Sequence, residues 1–562
     1  MTEKSISNAE SWAVLAFCMV ASVAAIVWSW RQGAMLNYGD AVAHLHIARR
    51  VFDSRTPRFS QLGSVWLPLP HILLLPFVQN YSWWATGFAA IIPSSLSYIA
   101  SCAGIHRLAR KWLDPAPAAL TLAFFALNPN LLYLETTAMT EPLFLCEFIW
   151  IVVWLVEWRT ALDGETAASG SEPRSSRFQA CIAAALVAAI FTRYDGWIIA
   201  FIAWSGVAIT LLRRAAKGKR ERIGGPAFWL ATIAITAAPI LWFAYNSVCF
   251  GDWLYFARGP YSAHAIELRT AVPGSLPHPG WHSPWVALLY YLKVCELDSV
   301  AAPGWGDLWG NLVLGLAVLG TARAWLVEKT RRCAFAWTLL LWLPVPFYAW
   351  SVAYGSVPIF FPAWWPYTWY NTRYGLELLP ALALGLGFAA QLAAEGLRRI
   401  NIPRLAILLP KFAFSAIFIL VGLNVFALLR SDPIVYVEGT KNADARKPYD
   451  NAIPPALRSL LVLDPHAPVL MNTSLYPEIV AFTGIPLRQT INESDLEIYR
   501  AALAAPASHA AIIVAFDGDE IDKAVKAHLA DFTLMGRFTA KDQPLAAIYV
   551  STKWLDRPST SF

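Results

Sequence analysis

Apolar runs long enough to cross a lipid bilayer recur from one end of this chain to the other. They lie near residues 11–30, 84–106, 115–133, 139–157, 179–193, 196–212, 226–248, 308–327, 334–352, 374–394 and 405–429. A helix rises 1.5 Å per residue, so about 20 apolar residues cover a hydrocarbon core roughly 30 Å thick. Inside that core each backbone N–H and C=O must be satisfied within its own segment, which makes such runs helices. The pattern predicts a membrane all-α fold, a polytopic bundle of about eleven transmembrane helices. The first run, Ser11 to Trp30, exceeds the 7–15 residues of a signal-peptide core and is followed by Arg31 rather than a small-residue cleavage site. It is therefore read as a retained span. The sequence is 57% hydrophobic and only 15% charged, where soluble proteins carry roughly 25% charge. Many of the 27 Trp stand at the ends of the runs, where amphipathic rings settle at a membrane–water interface. A net charge of +6 over 562 residues points to membrane lipids as the surroundings and no nucleic acid as a partner.

Basic residues give the orientation, because loops rich in Lys and Arg stay in the cytoplasm. With the N-terminus cytoplasmic, four clusters fall on that side: Arg107/Arg110/Lys111, Arg213 to Arg222, Lys329/Arg331/Arg332 and Arg398/Arg399/Arg404. The polar stretch 159–177 falls there too. The other face receives residues 31–83, 249–307 and 353–373, rich in Trp, Tyr, Pro and His. Residues Asp40 to Phe52 read as an amphipathic helix, and the Pro-bearing stretch Trp66 to His71 as an interfacial segment. These features imply a multi-pass protein of a bacterial inner or plasma membrane. From about residue 431 charges become frequent and apolar runs shrink to strand length, at Pro468–Asn472, Ala510–Phe516 and Ala546–Val550. Helix-like stretches, Glu493–Ala504 and Gly518–Leu529, lie between them. The chain thus divides into a transmembrane part, 1–430, and a small extramembrane α/β domain, 431–562, on the outer face. Of seven Cys, only Cys249 and Cys295 share an outer loop and could bridge.

Four polar signals fall on that outer face. The first is Tyr38-Gly39-Asp40, with His44 at i+4 on the same helical face. A carboxylate this close to the bilayer needs a partner or a task; equally, Asp40 can be a helix start stabilised by the dipole. The second is Tyr133 to Pro142, where Glu135 and Glu141 bracket a short turn and Glu141 also suits the first turn of the next helix. The third is Thr192-Arg193-Tyr194-Asp195-Gly196, a tight turn whose Arg–Asp pair can be structural. The fourth is Tyr370-Asn371-Thr372-Arg373-Tyr374, where Arg373 can bind an anion or snorkel. Together they supply carboxylates and guanidiniums for a polar reaction on an anionic lipid. His44, His46, His71, His278 and His282 share the face without a spacing diagnostic of a metal.

The ordered set resembles the GT-C superfamily of glycosyltransferases, most closely the branch of protein O-mannosyltransferases and aminoarabinose transferases. The elements are Tyr38-Gly-Asp40, Asn128-Pro129, Met139-Thr-Glu141, Thr192-Arg-Tyr-Asp195, Trp242-Phe-Ala-Tyr-Asn246 with Phe250-Gly-Asp252, and Asn371-Thr-Arg-Tyr374. They cover about residues 12–430. Ala41 stands where that branch carries a second acid. The resemblance implies inverting transfer of a sugar from a polyprenyl-phosphate donor to a lipid, glycan or protein acceptor hydroxyl at the outer face. It implies Asp40 as base, with Glu141 and Asp195 as further catalytic acids. Arg373, Arg193, Tyr374, His44 and Asn246 are the implied substrate-binding residues, and a divalent metal ion is an implied cofactor. The alternative class, a lipid or sugar transporter or flippase, places its polar residues near mid-membrane on broken helices in inverted repeats. Few charges lie at span centres here and no repeat is evident.

Overall fold

The computed structural model describes residues 6–164, 174–216, 225–270, 276–301, 306–327, 332–399, 402–474 and 476–555. The basic residues Lys217, Lys219, Arg220, Arg222, Lys329 and Arg331, and residues 165–173 of the polar stretch 159–177, lie outside them. Helices α1 (Asn8–Gln32), α2 (Gly39–Arg50), α3 (Leu69–Leu74), α4 (Ile91–Arg110) and α5 (Pro115–Ala126) come first. They are followed by α6 (Glu141–Gly164), α7 (Arg174–Thr192), α8 (Asp195–Ala216) and α9 (Pro226–Phe250). Next come α10 (Pro284–Ser299), α11 (Gly306–Val327), α12 (Pro344–Tyr354), α13 (Leu379–Arg398), α14 (Pro403–Arg430) and α15 (Ile434–Leu461). Prolines that lack an N–H open α5, α9, α10, α12 and α14, where the first-turn donors are unsatisfied in any case.

Every predicted apolar run falls on helical residues, and among the described residues nine helices are long and apolar enough to cross a membrane. The chain is an integral, multi-pass membrane protein. Two runs miss that criterion for identifiable reasons. The 115–133 run breaks after Ala126 because Asn128 turns its side chain back to cap the short helix Pro129–Leu134, accepting from the amides of Asn130 and Leu131. The other, α6, carries Glu147 and Glu157 along its length. At one end of the bundle the basic residues are paired with nearby acids: Arg110 with Glu10 at 2.7 Å, Arg214 with Asp163 at 2.9 Å, and Arg398 with Asp114 at 3.3 Å. The start of α2 and the C-terminal segment lie at the other end.

After α14 the chain turns through residues 431–433 into α15, a 28-residue helix that keeps Pro448, Pro454 and Pro455 within it. Proline inside a helix costs about 3 kcal/mol or more. Burial of Val435, Tyr449, Ile453 and Leu457 in the same core as the bundle offsets that cost. Beyond α15 lies a five-stranded sheet of β1 (Val469–Met471), β2 (Thr490–Ile491), β3 (Ile512–Phe516), β4 (Phe532–Phe538) and β5 (Ala546–Ser551). Its order is β2-β1-β3-β5-β4, with β1 parallel to β2 and β3, and β5 antiparallel to β3 and β4. The three predicted strands are β1, β3 and β5. Of the two not anticipated, β2 has only two residues, and β4 is an edge strand that exposes much of its length. All seven Cys are free, so Cys249 and Cys295 are not bridged; Cys295 is buried in α10.

Candidate functional site

The four sequence motifs meet around two guanidiniums at the end of the bundle where α2 begins. The first, Arg373, precedes α13 in a 3-10 turn over Thr372–Leu378. Its Nη2 donates to Asp40 Oδ2 at 2.8 Å, its Nε to Glu141 Oε1 at 3.0 Å, and its Nη1 to Glu438 Oε1 at 3.2 Å. One planar fork thus ties α2, α6 and α15 together, the geometry for which Arg is suited and Lys is not. The second, Arg193, sits in the α7–α8 turn. It pairs with Glu141 Oε1 at 3.1 Å, Asp195 Oδ2 at 3.2 Å and Glu377 Oε1 at 3.0 Å. Tyr348 of α12 donates its hydroxyl to Glu377 at 2.6 Å and accepts from Arg193 at 3.0 Å. The ring of Tyr374 contacts both guanidiniums, at 5.2 Å from Arg373 and 5.1 Å from Arg193.

Local sequence explains the placement. Glu141 and Asp195 begin α6 and α8, where the helix dipole favours a carboxylate. The α7–α8 turn is tight because residue 196 is glycine: a Cβ there would stand 2.2 Å from the carbonyl oxygen of Ala189. Exposure separates the roles. The Glu141 side chain is 1% exposed and shares a single oxygen between both guanidiniums, while Oε2 has no partner. The Asp40 side chain is 43% exposed. Asp40 is thus the accessible carboxylate, and Glu141 the buried post that holds both cations.

Several predicted residues stand apart. The ring of His44 bonds His71, Nδ1 to Nε2, at 2.8 Å and packs at a tilt against Trp66, ring centroids 4.4 Å apart, instead of reaching Asp40. Burial pushes the His44 imidazole down to about 4 and His46 to about 3, and holds His71 well below the usual range. These histidines are neutral walls at neutral pH. Asn246 donates to the carbonyl of Trp242 one turn back in α9 at 2.9 Å, so its amide is used within its own helix. Glu135 separates from Glu141 and accepts from Ser22 of α1 at 2.9 Å. Tyr348, Glu377 and Glu438 were not singled out in the sequence. An acid within an apolar helix start is the available signal for Glu377, whereas Tyr348 and Glu438 offer none.

A divalent ion does not fit these donors. Among the described residues no three His, Cys, Asp or Glu side chains are grouped to hold a metal. The oxygens of Asp40, Glu141 and Glu438 that face one another already face a guanidinium. A cavity of about 1280 Å³ is lined by Gly206, Arg213, Trp325 and Trp337 and by none of the cluster residues.

No protein-family model and no curated protein matches the sequence. Solved structures do match in shape. Over 94% of this chain and 97% of the other, the protein is similar to the crystal structure of ArnT from Cupriavidus metallidurans bound to undecaprenyl phosphate, with a TM-score of 0.50 and 15% identity. The chain shares the fold of that structure. The apo state of the same ArnT gives a TM-score of 0.46 at 14% identity, covering 98% of this chain and 100% of that one. The archaeal oligosaccharyltransferase AglB from Archaeoglobus fulgidus, in complex with an inhibitory peptide and a dolichol-phosphate, gives 0.44 at 12% identity, covering 98% and 75%. At these identities the likeness is one of architecture.

Proposed function

We propose that this protein is a glycosyltransferase that moves a sugar from a polyprenyl-phosphate donor to an acceptor hydroxyl, with inversion, at the outer face of the membrane. The observation that carries the reading is the half-exposed carboxylate of Asp40, held by a buried arginine inside a GT-C fold whose ArnT example was crystallised with undecaprenyl phosphate. Asp40 takes the proton from the acceptor hydroxyl. The acceptor oxygen then attacks the anomeric carbon from the side opposite the phosphate, and the C–O bond to the phosphate breaks with its electron pair leaving on that oxygen. Protonation of Asp40 weakens its hold on Arg373, so that Nη2 becomes available to the leaving phosphate as its charge develops. Glu141 keeps Arg373 and Arg193 in place, and Asp195, Glu377 and Tyr348 fix the second guanidinium. On this reading the cations are the two arginines and no divalent metal is required. The N-terminus and the paired basic residues Arg110, Arg214 and Arg398 face the cytoplasm, and the C-terminal segment faces outward. The acceptor is a lipid, glycan or protein hydroxyl.

The test is transfer in proteoliposomes given lipid extracts containing polyprenyl-phosphate sugars, followed by mass spectrometry of lipids, glycans and proteins. Appearance of a glycosylated acceptor together with free polyprenyl phosphate supports the reading. Movement of the intact lipid-linked sugar across the bilayer, without cleavage, assigns the protein to the transporter class instead.

A further inference from the structure

Both partners of the Asp40–Arg373 pair are held from the same place outside the bundle. Glu438, one turn into α15, is buried and its two oxygens take four donors. Oε1 accepts from the Asn371 amide at 3.0 Å and from Arg373 Nη1 at 3.2 Å. Oε2 accepts from the Thr372 amide at 2.8 Å and the Thr372 hydroxyl at 2.5 Å. Asn371 adopts a left-handed conformation, φ 56°, at the turn into Arg373, and Glu438 bonds the two successive amides that flank the Asn371 Cα. The same helix grips the start of α2. Tyr38 donates its hydroxyl to the Val435 carbonyl at 2.8 Å, the Gly39 amide donates to Asn442 Oδ1 at 3.1 Å, and Arg446 donates to the carbonyls of Leu36 and Asn37, each at 3.1 Å. Close approach is possible because residue 439 is glycine, where a Cβ would stand 2.7 Å from the Tyr133 hydroxyl.

Resting on the glycosyltransferase reading above, we infer that α15 is part of the catalytic centre and that Glu438 is a positioning residue acting through Arg373 on Asp40. A buried carboxylate with all four donors satisfied is a rigid fixture. Among the described residues Glu438 is the one hydrogen-bonding partner of Arg373 that comes from the C-terminal segment. The C-terminal segment therefore sets the geometry of the pair, and a displacement of about 1 Å there is enough to cost about 10²-fold in rate.

The isosteric variant Glu438→Gln keeps the shape and removes the charge. It is expected to lower kcat about 10²-fold while leaving KM for the lipid donor within a few-fold. On an Asp40→Asn background the same change is expected to cost less than about twofold, because the two residues act as one unit. Independent losses that multiply, or full turnover in Glu438→Gln, overturn the inference. Amide hydrogen exchange on detergent-purified protein reads the tie without any reaction: exchange at Asn371 and Thr372 should accelerate in Glu438→Gln and in Glu438→Ala, and remain at the wild-type rate in Asp40→Asn. Unchanged exchange overturns the structural tie. Accelerated exchange with a fully active Asp40→Asn leaves the tie intact and removes the reaction assigned to it. If Glu438→Gln fails to fold, Asn442→Ala, which removes the acceptor that the Gly39 amide shares with Arg446, is expected to reduce kcat several-fold with KM unchanged; wild-type kcat in that variant counts against the inference.

Discussion

Arg373→Lys keeps a positive charge at the centre of the cluster and removes the fork. The guanidinium of Arg373 meets carboxylates from three elements at 2.8, 3.0 and 3.2 Å. An ammonium on a flexible stem is a point donor and cannot address three carboxylates in one plane, so at least one contact is lost. A hydrogen bond to a charged group contributes about 1.5–3 kcal/mol. Loss of the bond to Asp40, converted at 1.36 kcal/mol per tenfold, corresponds to roughly 10- to 150-fold in turnover. Glu141 and Glu438 are buried and Asp40 is half-exposed, so the lysine is expected to stay with the two buried acids and release Asp40 to water. Arg373→Ala is a poorer test because it leaves buried carboxylates with no cation, at about 3–5 kcal/mol of stability. The assay is steady-state transfer in proteoliposomes with kcat and KM separated, alongside thermal melting of the purified protein. A drop in kcat with near-normal melting supports the role. Wild-type kcat in Arg373→Lys, or a loss confined to KM, refutes it.

Reporter fusions after Arg220 are expected to read as cytoplasmic and fusions after Gly280 or Asp450 as external; a cytoplasmic signal at Asp450 contradicts the orientation. Transfer is expected to persist in strong chelator, since guanidiniums occupy the space between the acids, and activity lost to chelator and restored by a divalent ion would return the metal to the site. Burial holds His46 at about 3, below its unfolded value near 6.5. The unfolded chain therefore binds the extra proton first, and stability falls as pH drops from about 6.5 towards 3, by up to about 1.4 kcal/mol per pH unit. His46→Phe, which keeps the contact with Trp84, is expected to show a shallower loss of melting temperature between pH 6.5 and 4; an unchanged slope rules out this source.

The membrane fold was legible because bilayer thickness leaves little choice: each apolar run had to be largely helical, and each is, the 115–133 run with a break at Leu127–Asn128. Asp40, Glu141, Arg193, Asp195 and Arg373 were legible because charged residues at the ends of apolar helices are costly without partners. Their mutual pairing was not legible, since it joins residues up to 333 positions apart. His44 misled because i+4 spacing places it on the helical face of Asp40, but the competing His71 and Trp66 lie on a segment whose path the periodicity does not reveal. Glu438 was missed for a different reason. The composition shift near residue 431, where charge returns, reads as a domain boundary, yet α15 packs into the bundle core through Val435 and Tyr449. A boundary in composition is not a boundary in packing. The helix itself was obscured by three prolines that propensity alone would exclude.

The central claim is that Asp40 is the base for glycosyl transfer, and Asp40→Asn tests it most directly. The amide preserves the shape and still accepts a hydrogen bond from Arg373, so the variant should insert as the wild type does and bind the lipid phosphate of the proposed reaction equally well. A positioned general base contributes about 10²–10⁴-fold, so turnover of Asp40→Asn in proteoliposomes should fall by that factor with binding of the lipid phosphate unchanged. Near-normal transfer by Asp40→Asn, with Glu141→Gln or Asp195→Asn inactive, would contradict the assignment.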